Sequence, residues 1–290
     1  KKIDVFTGMR SLRDNIIRPM LIFSKDEILD FAINNKIKWR EDKSNSENKY
    51  LRNKIRNILI PKIKLTDPLY RENFKDLIEE SKRVKKKRDS YLKKFEEKYF
   101  KTTKNGVIES KKIKWKNLNS KSIEFILFRK YGFFKNNEII KIINAPTGKI
   151  ITSKTHELAS NRDSLLIKKT SNESTDNFNL KIGFNEKPFN ILVEESKESN
   201  KPTKQIIFLN KNIKKPLKIR KLEQGDYFYP YGMKGKKKVS KFFKDEKLSI
   251  FEKRSKWILT DANNQILWIV GMRVDRRFVK SSGSCLKIFI

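Results

Sequence analysis

Between Pro68 and Phe100 the chain has no glycine or internal proline, and Phe74, Leu77, Ser81, Val84, Tyr91, Phe95 and Tyr99 recur near a three-to-four residue repeat. A stretch with that period and no breaker predicts one long helix, which at 1.5 Å per residue reaches roughly 50 Å. Lys82 to Arg88 holds six basic residues of seven, broken only by Val84, so charge wraps the helix. Such a run is ordinarily a solvated surface. On this chain Lys82, Arg83, Lys86 and Arg88 are also candidates for contact with a phosphate backbone. The net charge favours that second reading: +35, from 69 basic against 34 acidic residues, with a pI near 10.1. That excess is beyond what solubility needs and points to a polyanion, nucleic acid first. A general lysine bias in composition is the competing explanation.

At 290 residues and 34.5 kDa the chain is long enough for two or three domains. One cysteine, Cys285, and one histidine, His156, exclude an internal disulfide, a Cys/His zinc site and a Cys/His nucleophile pair, so no metal site is expected. The cysteine usage reads as cytoplasmic. Apolar runs such as Ile266 to Val270 fall far short of the ~18 residues a spanning helix needs, so no membrane partner is expected.

Local signals divide the chain. Ser24-Lys25-Asp26-Glu27 has the form of a capping box and predicts a helix to about Asn34, with Ile28, Phe31 and Ala32 on its buried face and Trp39 in the core beyond. Ser122 to Tyr131, ended by Gly132, and Glu138 to Ile143, before Pro146, are two further helices. From Lys149 the period shortens: KIITS, HELAS and SLLIKK, then FNILV and QIIFL, read as strands. Thr170 to Asn179 and Glu194 to Thr203 read as loops. From Leu217 a compact module follows, with a turn at Gly225-Asp226, a helix near Val239 to Lys247, a hairpin at Asn263-Asn264 and strands at WILTD, ILWIV and LKIFI. In this module Lys234, Lys236, Lys237, Lys238 and Lys241 crowd Gly232 and Gly235 just after Tyr227, Phe228, Tyr229 and Tyr231. Glycines let a backbone approach phosphate, lysines neutralise it, and some of the rings can stack on bases.

Trp39 to Pro61 is the densest stretch. Asp42, Ser44, Asn45 and Ser46 form a polar turn with candidate caps, and a helix should start at Glu47 and close at Pro61. Leu51, Ile55, Ile58 and Leu59 would be its buried stripe, with Lys49, Arg52 and Arg56 on a separate face. The order W-R-E-D-x-S-N-x-x-x-x-Y-x-R-N-x-I-R-x-x-x-I-P resembles the end of the catalytic domain of the tRNA(Ile)-lysidine synthase family. Thr7-Gly8-Met9, Asn15 to Leu21 and Ser24 to Ile28 are similar to the segment before it. LEQGDYFYPYGMKGKKKVSKFFKDEK, then Arg254, then LWIVGMR ending at Arg273, resemble the family's C-terminal module.

The resemblance implies an α+β multidomain protein. Residues 1–64 would be the α-helical tail of a PP-loop α/β catalytic domain, and 65–147 a helical tRNA-binding domain. Residues 148–210 would be a β-rich connecting region, and 211–290 a mixed α/β tRNA-binding module. It implies ligation of free lysine to carbon 2 of the wobble cytosine of the CAU-anticodon tRNA(Ile), with ATP and Mg2+, and leaves a homodimer open. Arg52 and Arg56 become candidates to grip phosphate during catalysis, with Asp42, Asn45 and Asn53 beside them. For Asp42 and Asn45 a purely structural turn is the stronger reading. Arg254 and Arg273 either grip phosphate or pair with Asp245, Glu246 or Asp275. The family's Ser-Gly-Gly-x-Asp-Ser ATP loop is not in the 290 residues, so the nucleotide ligands are unknown and the chain is expected to be an inactive fragment. A non-catalytic RNA-binding protein using the same basic surfaces is the rival. A different nucleotide-dependent tRNA modifier would leave Arg220 to Arg273 unexplained.

Overall fold

The computed structural model describes residues 8–9, 11–40, 50–170, 177–280 and 282–290, which belong to two compact units, 1–96 and 97–290. In the first unit, helix α1 (Lys25–Asn34) begins with the expected capping box. Ser24 Oγ accepts from the Glu27 amide at 3.2 Å, and Glu27 Oε2 accepts from the Ser24 amide at 2.6 Å. Those bonds hold the Glu27 carboxyl below its ordinary value. The expected buried face is not buried: Phe31 is 63% exposed and Trp39 is also open. An apolar stripe is buried only where an element packs against it.

The segment after Trp39 departs from expectation in three ways. Tyr50 is extended (φ −97°, ψ 144°), so the helix that carries Arg52 starts at Leu51; Glu47, its expected start, lies outside the described residues. It runs as α over Leu51–Lys54, π over Ile55–Leu59, then α again over Ile60–Thr66, passing through Pro61. Proline lacks an N–H and crowds the carbonyl four residues back. The wider π turn before it, and its place in the first turn of the next α piece, remove both conflicts. Finally, the expected stripe is exposed, Leu51 at 74% and Leu59 at 49%. The polar turn with Asp42 and Asn45 lies outside the described residues.

Helix α2 (Tyr70–Tyr99) is the long helix read from the sequence, 30 residues or about 45 Å. Asp67 starts it by accepting from the Leu69 amide at 3.0 Å and from Asn73 Nδ2 at 3.0 Å. Leu92 is its one buried residue.

The second unit opens with a five-stranded antiparallel sheet of β1 (Lys101–Thr102), β2 (Ile108–Lys111), β3 (Ile150–Thr152), β4 (His156–Ser160) and β5 (Ser164–Lys169), in the order β1-β2-β5-β4-β3. Between β2 and β3 lie a 3-10 helix (Ile123–Tyr131) and α3 (Asn136–Asn144). The first lies where the sequence predicted a helix ended by Gly132. Phe125, Phe128 and Tyr131 are three apart and so share one face of a 3-10 helix, where they join Phe100 and Trp115 in an aromatic cluster. Trp115 and Phe128 are 4.7 Å apart. Gly132 ends the helix at φ 82°, and a Cβ there would meet Ser153 Oγ at 2.8 Å, so both conformation and space require glycine. This sheet joins residues on both sides of the expected boundary at 147.

Two further antiparallel sheets form the remainder. One is ordered β9-β15-β8-β7, from β7 (Gly183–Asn185), β8 (Ile191–Ser196), β9 (Ile206–Leu209) and β15 (Cys285–Phe289). The other is β14-β13-β10-β6, from β6 (Phe178–Leu180), β10 (Leu217–Arg220), β13 (Ile258–Thr260) and β14 (Ile266–Ile269). One apolar cluster draws Ile191, Ile207 and Leu286 from the first and Leu180, Ile219 and Leu259 from the second. Residues 178–209 therefore pair with the C-terminal module, across the expected boundary at 210. Both strand ends are absorbed into supposed loops, β6 into the first and β8 into the second. The hairpin of β11 (Tyr227–Phe228) and β12 (Lys237–Lys238) leads into α4 (Val239–Asp245) over a smaller core of Phe228, Phe242 and Phe243. Helix α5 (Ile250–Ser255), capped by Ser249 and Glu252, packs Phe251 against Ala159 and Leu166 of the five-stranded sheet. Among the described residues no helix is long and apolar enough to cross a membrane.

Candidate nucleic-acid interface

The alternation at Tyr227-Phe228-Tyr229 behaves as strand geometry requires: Phe228 is buried while Tyr227 is exposed and Tyr229 half-buried. Lys236 Nζ sits 3.4 Å from the Tyr227 ring centre. Lys234, Lys238 and Lys241 are exposed and make no ion pair among the described residues. Lys237 differs. It is 2.8 Å from Asp245, its side chain is 19% exposed, and its hydrogen bond holds the Asp245 carboxyl below the usual range. It fastens β12 to α4 and is the least available of the five lysines.

The loop before this hairpin is set by Arg220, which is buried and clasps Asp226 with two bonds of 2.8 Å while donating to Asn264 Oδ1 at 2.8 Å. Arg254 pairs with a residue the sequence did not suggest, Glu157 on β4, at 3.0 Å. Arg273 is exposed and donates to the Tyr231 carbonyl at 3.0 Å, with no carboxylate partner among the described residues. Asp275 instead holds Arg277 at 2.8 Å. Arg276 and Arg277 both approach Tyr229, at 5.7 and 4.3 Å from its ring centre, and were missed. The available signal was the order D-R-R just after LWIVGMR, opposite the Tyr-x-Tyr alternation.

In the first unit Lys82 and Lys86 are exposed, Arg83 lies 3.6 Å from Glu80, and Arg88 is turned onto Asp89 at 2.8 Å with its side chain 11% exposed. Arg52 and Arg56 are exposed, with no ion pair among the described residues, and Asn53 is half-buried between them in sequence. Lys82 also rims a groove of about 800 Å³ lined by Leu21, Ile22, Ile55, Leu59 and Phe74. His156 is structural: its amide donates to Ser153 Oγ at 2.9 Å and its ring meets Tyr131 edge-on at 5.2 Å. Burial, then Lys169, pushes its pKa down. Lys112 is another interior group, donating to Ser160 Oγ at 2.6 Å, its pKa lowered by burial. Among the described residues no three His, Cys, Asp or Glu side chains gather as metal ligands.

Three family models match the chain in order: a PP-loop domain over residues 3–63, a TilS substrate binding domain over 103–170 and a TilS substrate C-terminal domain over 217–288. Together with the mixed sheets and helices they define a multidomain α+β protein of PP-loop type. The tRNA(Ile)-lysidine synthase of Clostridium tetani is 31% identical over 324 residues, covering 99% of this chain and 67% of that relative. The tRNA(Ile)-lysidine synthase of Parabacteroides distasonis is 28% identical over 285 residues, covering 94% of this chain and 63% of its own length. The chain belongs to the tRNA(Ile)-lysidine synthase family, and it spans a little under two thirds of the Parabacteroides relative. A crystal structure of a TilS C-terminal domain matches with a TM-score of 0.36 at 20% identity, over 39% of this chain and 94% of that one.

Proposed function

We propose that this chain serves ATP-dependent ligation of free lysine to carbon 2 of the wobble cytosine of the CAU-anticodon tRNA(Ile), as the RNA-holding part of the enzyme. In that reaction carbon 2 is activated as an adenylate with release of pyrophosphate, and the lysine amine then displaces AMP, so that decoding passes from AUG to AUA. The observation that carries the reading is the order of the three matched segments along one chain, extended over 99% of it by the Clostridium tetani relative. The net charge of +35 agrees with a polyanionic substrate.

Within this reading Lys234, Lys236, Lys238 and Lys241 hold tRNA phosphates. Arg52 and Arg56 face the reacting groups, where a planar cation offsets charge developing on phosphate. ATP and Mg2+ supply the activating chemistry. The residues described here do not fit either group: the glycine-rich phosphate loop is not in the sequence and no acidic cluster gathers to hold a cation. The protein acts in the cytoplasm, as a monomer or a homodimer. The rival is a non-catalytic RNA-binding protein that uses the same basic surfaces. Incorporation of labelled lysine into a tRNA(Ile) transcript decides between them. Lysine transfer by the enzyme carrying this chain supports the ligase, and tight tRNA binding without transfer supports the rival.

A further inference from the structure

Beside the glycine-lysine loop the C-terminal module contains an arrangement that neither its family match nor its lysine count assigns. Asp275 is buried, and four donors converge on its carboxylate: the Tyr229 amide at 2.9 Å, the Arg277 amide at 2.9 Å, and Arg277 Nε and Nη2 at 3.1 and 2.8 Å. One acid thus fixes both the backbone at Tyr229 and the plane of the Arg277 guanidinium, which lies 4.3 Å from the Tyr229 ring centre. The Arg276 amide donates to the Tyr229 carbonyl at 2.8 Å, and its guanidinium reaches the same ring at 5.7 Å while giving Nη1 to the Met233 carbonyl at 3.3 Å.

Two cations are therefore held about one aromatic ring, and the one carboxylate paired with either is buried beneath them. Hydrogen bonding to Asp275 raises the Arg277 pKa, so its charge is permanent. Nη1 of Arg277, and Nε and Nη2 of Arg276, meet no acceptor among the described residues. Arg276 is exposed, and the Arg277 side chain is 34% exposed. A guanidinium whose orientation is already fixed loses less freedom on taking a ligand than a lysine does, and its fork matches the oxygens of a phosphate.

We propose that Arg276 and Arg277, oriented around Tyr229 by Asp275, form a binding site for a backbone phosphate of RNA. This rests on the reading that the chain binds RNA, and it assigns the fixed contact to these arginines while the mobile lysines add unspecific attraction. Asp275 is a positioning residue that touches no RNA. The contact is sequence-neutral, since phosphate carries no base identity.

The test is anisotropy of a labelled tRNA titrated with this chain at several salt concentrations, with melting temperatures measured alongside. Arg276→Gln/Arg277→Gln should lose roughly tenfold or more in affinity, and its salt slope should fall by about 0.7 to 0.9, one phosphate contact. Lys201→Gln/Lys204→Gln removes equal charge from exposed positions elsewhere and should change neither by half as much. Arg276→Lys/Arg277→Lys keeps the charge without the fork, so its slope should return while its affinity stays below wild type. Asp275→Asn should lower affinity with the slope reduced, which a purely structural defect would not do. A glutamine pair with wild-type affinity and slope overturns the site, as does an equal loss in the Lys201/Lys204 control. Should the glutamine pair unfold, the lysine pair decides, and full affinity in it overturns the proposal. A wild-type chain with no tRNA affinity fails the RNA-binding reading itself. In that case melting in inorganic phosphate shows whether the arginines serve a small phosphate ligand, which would also overturn the assignment to RNA.

Discussion

Residues 97–290 bury most of their large apolar side chains, with exceptions such as Phe134 and Phe184, whereas in residues 1–96 Leu92 is the one buried hydrophobic among those described. Met20, Leu21, Ile22, Phe31, Leu51, Leu59 and Phe74 all stay open in the first unit. Both regions have well-formed helices, so the difference is not one of secondary structure. Capping, period and the absence of breakers are enough to shape α1 and α2, because those signals act within a turn or two. Burial needs opposing surface, and the second unit obtains it from sheets whose strands come from distant parts of the chain.

The largest expected effect tests this contrast directly. Phe128→Ala, inside the aromatic cluster with Trp115, should destabilise the second unit by about 3–5 kcal/mol in denaturant unfolding. Leu59→Ala in the first unit should stay within about 0.5 kcal/mol. A loss at Leu59 equal to that at Phe128 would mean the first unit has a core of its own.

The next effect belongs to function. In an enzyme competent for ligation, Arg56→Ala should slow single-turnover lysidine formation by roughly tenfold to a hundredfold while tRNA affinity hardly moves. Normal turnover would make Arg56 part of a solvated face. Gly132→Ala comes after it, costing more than about 1 kcal/mol because alanine resists φ 82° and its Cβ meets Ser153; an unchanged melting temperature would show that the turn relaxes freely.

The smallest effect is pH-dependent. The His156 pKa is lowered in the folded state, so folding favours the neutral ring. Its contribution is complete above the ordinary imidazole value of 6.5 and is lost as the pH falls through that value toward the lowered one. His156→Gln should remove a small part of the acid-side loss of stability. An identical pH profile in the variant would assign that loss elsewhere.

Much of the local structure was legible from single stretches. The box at Ser24, the breaker-free run before Phe100 and the short apolar runs in HELAS and SLLIKK each name an element using neighbouring residues alone. The path through Pro61 was not legible, since a π turn that accommodates proline leaves no mark in the period. Pairings across long separations were equally hidden. Arg254 finds Glu157 at 3.0 Å, a partner 97 residues away, where nearby acids looked equally good. Of the candidate RNA surface, the lysines were visible as a cluster. That Lys237 is held by Asp245, while Arg276 and Arg277 gather on Tyr229, depends on how the hairpin meets α4 and the segment around Asp275, and composition does not carry that information.

The central claim is that this basic chain grips tRNA through phosphate contacts, and its most direct test is tRNA affinity measured from about 50 to 200 mM salt. The account predicts a linear fall of log affinity with log salt, with a slope of roughly 0.7 to 0.9 for each contact, and a shallower line when Lys234, Lys236, Lys238 and Lys241 are neutralised together. An affinity that stays constant across that range would contradict it.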